Sequence, residues 1–341
     1  MIEPRNILIV RTDRIGDVVL SLPMAGLIKK HFPGCRVTFL LRNYTKELAT
    51  DHPFIDEVLV LKERDKKILL NANVKMLREK SFDTCIVVSP TFLTALMIFL
   101  SRIKNRIGSG YRLYSFLFTK KVFEHRKFAG KHELEFNINL LKAIDIDEEV
   151  SVDNVRFDLR VNSSSLEKVR RILHDLNINS NKKLIIVHPG SGGSAIDLPV
   201  EKFSELVVKL SNLDNLTVLI TGDENEQNIS KTVAGKGKAI NLAGRFNLSE
   251  MVALINMCSL FITNSTGPIH IAAALGKTTI GFYPKIVVCS PERWGPYTNK
   301  KAVFLPKIDC FDCTREQCEK LNCMNSIDID EVINEAVKLL A

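Results

Sequence analysis

The chain lacks any apolar run of the roughly 20 residues that a membrane-spanning helix needs. Its longest apolar stretch, Phe92–Leu100, is shorter, and we predict a buried helix there. The N-terminal residues show no basic segment followed by a signal-peptide core, so we expect no signal peptide. We therefore expect a cytoplasmic protein, with peripheral contact at the inner face of the cytoplasmic membrane as a further option. Its eight cysteines are then expected to be thiols rather than a disulfide framework.

Acidic residues are scarce in one part of the chain. Residues 1–150 hold 25 basic and 18 acidic residues, whereas the remainder holds 22 and 21. Segment 102–131 has nine basic residues and one acid, Glu124, with interspersed aromatic residues such as Tyr111 and Phe116. Such a segment is typical either of a solvated basic face or of a site for an anionic partner. The partner would be nucleic acid or an acidic glycolipid at a membrane surface.

Short β-rich runs alternate with helical stretches in both halves of the chain. The predicted strands are residues 7–11, 36–41, 57–61, 84–89, 184–188, 217–221, 239–242, 260–263 and 278–283. Helical segments such as 17–31 and 67–80 lie between them. The alternation predicts an α/β protein with two Rossmann-like domains, each a parallel sheet covered on both faces. We place the boundary in the polar stretch 161–182, with domains at 1–160 and 161–341.

The turn after the first predicted strand carries two carboxylates. Ligands of doubly wound sheets bind where strands end, so such turns are candidate sites. This turn, TDRIGD, has no G-x-G-x-x-G pattern, which argues against a dinucleotide fingerprint. It contains Asp13 and Asp17, and Asp17 stands at the predicted start of a helix. A carboxylate there serves either as a helix N-cap or in chemistry.

Three turns of the second half have residues suited to a nucleoside diphosphate. The glycine-rich turn HPGSGGS can point backbone N–H groups at phosphates, and TNSTGP leads from a strand into a helix start. Glu226 can accept hydrogen bonds from ribose hydroxyls. The alternatives are a flexible connection, a surface acid and, for His270, a core histidine. The candidate donor-binding residues in these turns are Ser191, Gly192, Gly193, Ser194, Glu226, Asn264, Ser265, Thr266, Gly267 and His270.

These motifs, in this order, resemble glycosyltransferase family 9, the ADP-heptose:lipopolysaccharide heptosyltransferases and their relatives. The resemblance rests on ILIVRTDRIGDVVLSLP, HPGSGGSAIDLPVEKF, ITGDENEQ and TNSTGPIHIAAALGKTTIGFY with its following RWGP. It implies a GT-B fold, in which two Rossmann-like domains face each other across a cleft. It also implies an inverting, metal-independent transferase that requires no cofactor. The expected donor is a nucleoside-diphosphate sugar, ADP-heptose above all, and the expected acceptor is lipopolysaccharide core or a related surface glycan.

The resemblance implies roles for individual residues. Asp17 matches the general base. The turns at 191–194 and 265–267 would hold the diphosphate with His270 close by, while Glu226 would bind ribose and Phe246 would lie beside the base. Segment 102–131 is then interpreted as an acceptor and membrane-surface patch, and no nucleic-acid-binding motif competes for it. The candidate acceptor-binding residues are Asp13, Arg14, Arg112 and Lys131.

Two positions depart from the family pattern. Many relatives carry a lysine or arginine soon after the glycine-rich loop, where this chain reads Ala195-Ile-Asp197, and many carry aspartate in place of Ser265. Arg14, Lys202 and Lys285 are candidates for the missing charge. The departure keeps open a non-catalytic nucleotide-sugar-binding relative and, more remotely, a sugar-nucleotide epimerase of the same fold.

Four cysteines follow in CFDCTREQCEKLNC, at Cys310, Cys313, Cys318 and Cys323. Their spacing is compatible with a tetrahedral zinc site. Structural zinc sites usually use two C-x-x-C pairs, and only one is present. We therefore favour reduced thiols or an adventitious disulfide, and expect no metal in the reaction.

Overall fold

The structure is a computed structural model that describes residues 3–179, 181–235, 238–310 and 313–341. The chain divides into two compact units. The first comprises the residues up to Arg126 together with Lys131–Arg160, and the second comprises Val161–Ala341 together with Lys127–Gly130. Among the described residues, no helix is both long enough and apolar enough to cross a bilayer.

The first unit is a parallel sheet with helices packed against it. Its strands are β1 (Asn6–Val10), β2 (Arg36–Leu41), β3 (Glu57–Val60), β4 (Glu63–Arg64), β5 (Lys67–Ile68), β6 (Thr84–Val87), β7 (Asn105–Ser109) and β8 (Lys120–Val122). Its α-helices are α1 (Ile15–Val19), α2 (Pro23–His31), α3 (Leu70–Glu79), α4 (Phe92–Leu100) and α5 (Glu133–Asn139). Short 3-10 helices span Asn43–Leu48, Ser115–Leu117, Arg126–Phe128 and Leu140–Ile144.

Strand order in this sheet is β3-β2-β1-β6-β7-β8, and every neighbouring pair is parallel. Strands β4 and β5 form a separate antiparallel pair. β1 reads NILIV, and the side chains of residues 7–10 are at most 1% exposed, as expected for a central strand covered on both faces. The order reverses between β1 and β6, so the turns after these two strands meet at the switch point of the sheet.

The second unit repeats this architecture. Its strands are β9 (Lys183–His188), β10 (Leu216–Ile220), β11 (Ile240–Asn241), β12 (Leu260–Asn264), β13 (Thr278–Phe282) and β14 (Lys301–Phe304). Its α-helices are α6 (Ser163–Asp175), α7 (Val200–Ser211), α8 (Gln227–Ala234), α9 (Leu248–Met257), α10 (Gly267–Ala274), α11 (Pro291–Trp294), α12 (Arg315–Leu321) and α13 (Ile329–Leu340). Short 3-10 helices span Glu224–Glu226, Val287–Cys289 and Cys323–Ser326. All neighbouring strands are parallel in the order β11-β10-β9-β12-β13-β14, so β9 and β12 flank the switch point.

The predicted α/β class with parallel sheets is confirmed, but several elements differ from the prediction. Strands β4, β5, β7, β8 and β14 were missed, because they are short or rich in polar and charged residues and do not stand out as apolar runs. Helix α6 occupies most of the stretch that we predicted as a polar boundary. The stretch is polar because only Val169 and Leu173 of the 13 helix residues are buried. The predicted helix 17–31 is two helices, and the predicted helix 67–80 starts at Leu70, after β5.

The apolar stretch Phe92–Leu100 is a helix, α4, but the prediction that it is buried is wrong for one of its faces. Phe92, Leu93 and Phe99 are exposed to 52%, 44% and 44%. The helix packs on the sheet through Ala95, Met97 and Ile98. It is therefore apolar on both its inner and its outer face.

Candidate functional site

A fully buried arginine organises the switch point of the first sheet. Arg11 follows β1 directly and is 1% exposed. Its guanidinium forms an ion pair with Asp17, and lies 3.4 Å from a carboxylate oxygen of Asp13 and 3.4 Å from one of Glu133. Because a buried cation needs compensating charge, these carboxylates are fixed around it.

Asp17 is not the N-cap that its predicted place at a helix start suggested. Helix α1 begins at Ile15 with Arg14 as the N-cap residue, and Asp17 occupies the third helical position. Its carboxylate accepts a hydrogen bond from the backbone N–H of Arg14 at 3.3 Å in a capping box. Asp17 is therefore held from two sides, by the helix start and by Arg11.

Helix α5 supplies a second layer around Arg11 that sequence reasoning missed. Glu133, at its first position, is buried and also forms an ion pair with Arg126. One turn later, the Asn137 side chain accepts from Arg11 and from Arg126, each at 3.3 Å, and donates to the carbonyl of Leu20 at 3.1 Å. More than 110 residues separate α5 from β1, so local patterns do not associate them.

The electrostatics of this cluster favour a charged Arg11. Burial lowers the pKa of its guanidinium, but the carboxylates of Asp13, Asp17 and Glu133 outweigh burial and hold the pKa above its ordinary value. The pKa of Asp13 is raised by burial and by the neighbouring carboxylates, against the lowering effect of Arg11 and of the Ser89 hydroxyl. Ser89 follows β6, so both turns of the switch point contribute to the cluster.

The four candidate acceptor residues are only partly brought together. Asp13 lies in the Arg11 cluster, and its backbone carbonyl accepts from the Tyr44 hydroxyl at 2.6 Å. Arg14 is exposed next to it. Arg112 lies in the exposed loop after β7, where its backbone N–H donates to the Ser115 side chain at 3.0 Å. Lys131 pairs with Glu124 at 3.3 Å, in an ion pair that does not involve Asp13.

In the second unit, one amide side chain joins the glycine-rich loop to the turn after β12. The Asn264 side chain donates to the carbonyl of Pro189 at 2.7 Å and accepts from the backbone N–H of Leu198 at 2.9 Å. Thr263 donates from its hydroxyl to the carbonyl of His188 at 2.7 Å. Asn264 is 0% exposed, and its side chain holds the two loops together. Its role in donor binding stays a prediction.

Glu226 lies against the glycine-rich loop. Its carboxylate accepts from the backbone N–H of Gly192 at 3.2 Å and of Asp223 at 2.9 Å. A Cβ on Gly190 would lie 2.0 Å from the same carboxylate, so glycine is needed there for the close approach. Ribose binding by Glu226 stays a prediction, and what the structure shows is a carboxylate that supports the loop.

Two glycines give the loop its shape. Gly192 and Gly193 have φ of +55° and +72°, a left-handed conformation that residues with a side chain rarely adopt. The Ser194 hydroxyl donates to the carbonyl of Ser191 at 2.6 Å and closes the turn. Consecutive glycines at a strand end allow backbone N–H groups to line one concave surface, as anion-binding loops require.

The turn after β12 leads directly into α10. Ser265 is 8% exposed, and its backbone N–H donates to the carbonyl of Phe282 at 3.1 Å. Thr266 is the N-cap residue, so Gly267 opens the helix and its first N–H groups lie at this turn. His270 lies on the first turn, 4% exposed, with its ring centroid 6.4 Å from that of Trp294.

Phe246, the residue expected beside the nucleobase, is half-buried in the loop between β11 and α9. Gly244, two residues earlier, has φ of +74°, and its N–H donates to the carbonyl of Gly222 at 2.9 Å. This bond ties the loop that carries Phe246 to the turn that carries Glu226.

The cation missing from the sequence after the glycine-rich loop has a counterpart in α12. The guanidinium of Arg315 donates to the carbonyl of Gly193 at 3.3 Å and to that of Ala195 at 3.2 Å. The sequence suggested Arg14, Lys202 or Lys285 for this role, but in the described part of the chain none of them donates to these two carbonyls. Lys285 donates instead to the carbonyl of Ile308 at 2.8 Å. Sequence reasoning missed Arg315 because 120 residues separate it from the loop.

Asp197 shares a cavity of about 400 Å³ with Arg315. Burial raises the pKa of its carboxyl to about 6, with the Ser191 hydroxyl and Arg315 lowering it and Glu226 raising it. The residue following the loop is thus an acid that takes up its proton at a higher pH than an ordinary aspartate does.

The four cysteines lie beside the same cavity. Cys318 and Cys323 are each 1% exposed and line it, and burial together with the neighbouring thiols raises the pKa of Cys318 to about 12. Cys310 and Cys313 are half-buried and flank residues 311–312, which the structure does not describe. Within the described ranges, no group of three or more histidine, cysteine, aspartate or glutamate side chains is arranged to hold a metal ion.

Comparison with known proteins identifies the family. The model for glycosyltransferase family 9 (heptosyltransferase) matches residues 71–324. The chain belongs to glycosyltransferase family 9. A putative glycosyltransferase of Haemophilus influenzae is 28% identical over 308 residues, covering 88% of this chain and 89% of the relative.

Two solved structures share the fold. The glycosyltransferase family 9 protein of Veillonella parvula has a TM-score of 0.84 at 19% identity, covering 98% of this chain and 97% of its own. The ADP-heptose lipopolysaccharide heptosyltransferase II of Escherichia coli has a TM-score of 0.80 at 20% identity, covering 98% of both chains. These likenesses confirm the prediction of a GT-B-type fold with two Rossmann-like units.

Replacing Arg11 by methionine tests the buried cluster. Three carboxylates then lose their cation, and we expect a loss of about 3–5 kcal/mol in unfolding free energy at pH 8. Arg11 lowers the pKa of Asp13 against burial and the neighbouring carboxylates, so without Arg11 the pKa of Asp13 rises further in the folded state. The loss should therefore shrink as the pH falls towards 5 and the Asp13 carboxyl takes up a proton.

The measurement is the urea midpoint by circular dichroism at pH 5 and pH 8. Arg64→Met, at an exposed arginine of β4, is the control and should change stability by less than about 0.5 kcal/mol. A loss that is small, or equal at both pH values, would contradict the role assigned to Arg11.

Proposed function

We propose that this family 9 glycosyltransferase moves a heptose from ADP-heptose to a lipopolysaccharide-core or related glycolipid acceptor. The activity class follows from the family, and the sugar is supported by heptosyltransferase II, whose name includes both ADP-heptose and lipopolysaccharide. The observation that carries the proposal is a matched pair of switch points. One holds a carboxylate on a buried cation, and the other joins a glycine-rich loop to a helix start.

In the proposed reaction, Asp17 acts as the general base. Its carboxylate takes the proton from the acceptor hydroxyl while that oxygen attacks the anomeric carbon of the donor. The new glycosidic bond forms as the bond to the diphosphate oxygen breaks, so ADP leaves and the configuration inverts. The ion pair with Arg11 holds the Asp17 carboxylate in place at the switch point.

The second unit would bind the donor. The diphosphate would be held by backbone N–H groups of 191–194 and of the α10 start at 265–267, which would stabilise the charge that develops on it. The N–H groups of Gly192, Ser194 and Ser265 already donate to acceptors within the protein, so the remaining ones would serve the phosphates. Glu226 and Phe246 lie on two turns that are tied together, as ribose and base binding would require. His270, close to the same helix start, would face the phosphates.

Arg315 would replace the missing family cation. Its positive charge lies against the carbonyls of Gly193 and Ala195, where it offsets the acid at Asp197 and fixes the loop that cradles the phosphates. The departure at 195–197 is therefore compatible with a catalytic enzyme rather than a binding relative.

The acceptor would be an acidic glycolipid at a membrane surface. Asp13, Arg14, Arg112 and Lys131 belong to the unit that carries Asp17, and three of the four are cations suited to acidic sugars and phosphates. We expect no nucleic-acid partner and no cofactor besides the donor.

The proposal is tested by calorimetry with ADP, followed by a transfer assay with ADP-heptose and a heptose-free core acceptor. We expect ADP to bind and the released product to carry an inverted anomeric linkage. A folded protein that binds no nucleoside diphosphate would contradict the donor site. One that binds ADP but only hydrolyses or epimerises sugar nucleotides would contradict the transferase.

The loop glycine Gly193 should be needed for donor binding. Its φ of +72° means that Gly193→Val strains the backbone by roughly 1–2 kcal/mol or more and directs a side chain into the loop. Gly276 provides a matched control, because it has φ of +69° and likewise has open space around it. We expect both valine variants to lose similar stability, but only Gly193→Val to lose ADP affinity in calorimetry. Equal effects on affinity would contradict a phosphate cradle at this loop.

Arg315 should matter for the donor more than for folding. Arg315→Ala removes a charge and two hydrogen bonds to the loop, and we expect ADP binding to weaken by about tenfold or more. Arg315→Lys keeps the charge but not the paired geometry, so it should recover only part of the affinity. Arg170→Ala, at an exposed arginine of α6, is the control. Wild-type ADP affinity in Arg315→Ala would show that this cation does not replace the missing one.

A further inference from the structure

Helix α4 is too apolar for a helix with a face in solvent. Its sequence FLTALMIFL contains no charged residue. The inner face is buried, whereas Phe92, Leu93 and Phe99 are exposed on the outer face. Surface helices of soluble proteins usually place polar residues there, and a helix that is apolar all round indicates that both faces are covered in use.

The neighbouring loop extends this apolar surface. The short helix Ser115–Leu117 packs on α4. Phe116, within this helix, is 73% exposed, and Leu113, two residues before it, is 100% exposed. The rings of Phe92 and Tyr114 meet edge to face with centroids 5.9 Å apart. Phe123, 63% exposed, packs in the same way on Tyr111 at 5.4 Å. We call Phe92, Leu93, Phe99, Leu113, Phe116 and Phe123 the apolar patch.

The charged residues of the chain segment that carries the apolar patch are all basic, up to Glu124, which directly follows Phe123. Residues 84–123 contain no aspartate or glutamate. Four cations of this segment are exposed and lie close in sequence to patch residues: Arg102, Lys104, Arg112 and Lys121. The other two cations of residues 84–123 donate to backbone carbonyls, Arg106 to those of Leu117 and Ile103 and Lys120 to that of Ala143. The exposed set is therefore a surface for an anionic partner.

Exposed apolar side chains with exposed cations close to them in sequence are suited to binding an anionic lipid bilayer. We propose that the apolar patch inserts into the headgroup region of such a bilayer while the exposed cations bind lipid phosphates. Helix α4 is about 14 Å long, too short to span the membrane, so it would lie in the plane of the surface.

The charge argues against a second copy of the chain as the occupant. A twofold dimer through this patch would place the same cations opposite one another, with no acid in the segment to pair them. A bilayer supplies both the apolar environment and the negative charge. The proposal rests on the proposed function only in explaining how the enzyme reaches a lipid-anchored acceptor.

The test is sedimentation of the full chain with vesicles that contain neither donor nor acceptor, so its outcome is independent of the transfer reaction. We expect binding to phosphatidylcholine vesicles with about 30% phosphatidylglycerol, and weak binding to phosphatidylcholine alone. Leu113→Ser combined with Phe116→Ser should weaken binding roughly tenfold or more, because both side chains would lose their apolar contact with lipid. Arg112→Ala combined with Lys121→Ala should weaken it and reduce its salt dependence.

Leu321→Ser combined with Val337→Ser removes exposed apolar side chains from the other unit and is the matched control, expected to bind like the wild type. Two results would overturn the proposal. One is unchanged vesicle binding in the Leu113 and Phe116 variant. The other is a wild-type protein that ignores anionic vesicles but forms a dimer in light scattering, with the dimer lost in that variant.

Discussion

The guanidinium of Arg11 is the group on which the first half of the candidate site depends. It is the largest side chain that the described structure buries completely, and a buried cation is tolerated only where anions surround it. Asp13, Asp17 and Glu133 come from a loop and two helices, and all three are oriented by this one charge. A carboxylate fixed in this way has few conformations to lose, as a general base requires.

The second unit meets the corresponding demand mainly with backbone N–H groups. A diphosphate needs converging N–H donors, and loops that supply them must be held open without filling the space that the phosphates occupy. Asn264 and Glu226 hold the glycine-rich loop through its backbone, and Arg315 holds it through two carbonyls. The loop itself needs few charged side chains, which explains how the chain departs from its relatives at 195–197 while keeping the turn.

The repeated strand and helix pattern and the turns at strand ends could be predicted from the sequence, because apolar runs and glycine-rich turns are local features. The partners of those turns could not. Glu133, Asn137 and Arg315 become neighbours of the site only through tertiary packing, across more than 100 residues. Arg11 is close in sequence to Asp13 and Asp17, but the sequence does not show that its side chain is buried beside them. The prediction that α4 is buried was wrong for its outer face for a similar reason. Composition alone does not show which face of a helix packs against the rest of the protein. The sequence also suggested that a helix starts at Asp17, where this residue would be an N-cap. The helix begins at Ile15 instead, and Asp17 is its third residue.

The most direct test of the central claim compares Asp17→Asn with Asp13→Asn in the transfer reaction. Both substitutions remove a carboxylate beside Arg11, so both should lower the melting temperature, and ADP binding serves as the control for a folded donor site. If Asp17 is the base, kcat falls by about 10²–10⁴ in Asp17→Asn and far less in Asp13→Asn. A near wild-type kcat in Asp17→Asn, with the loss appearing in Asp13→Asn, would contradict the account and move the base to Asp13.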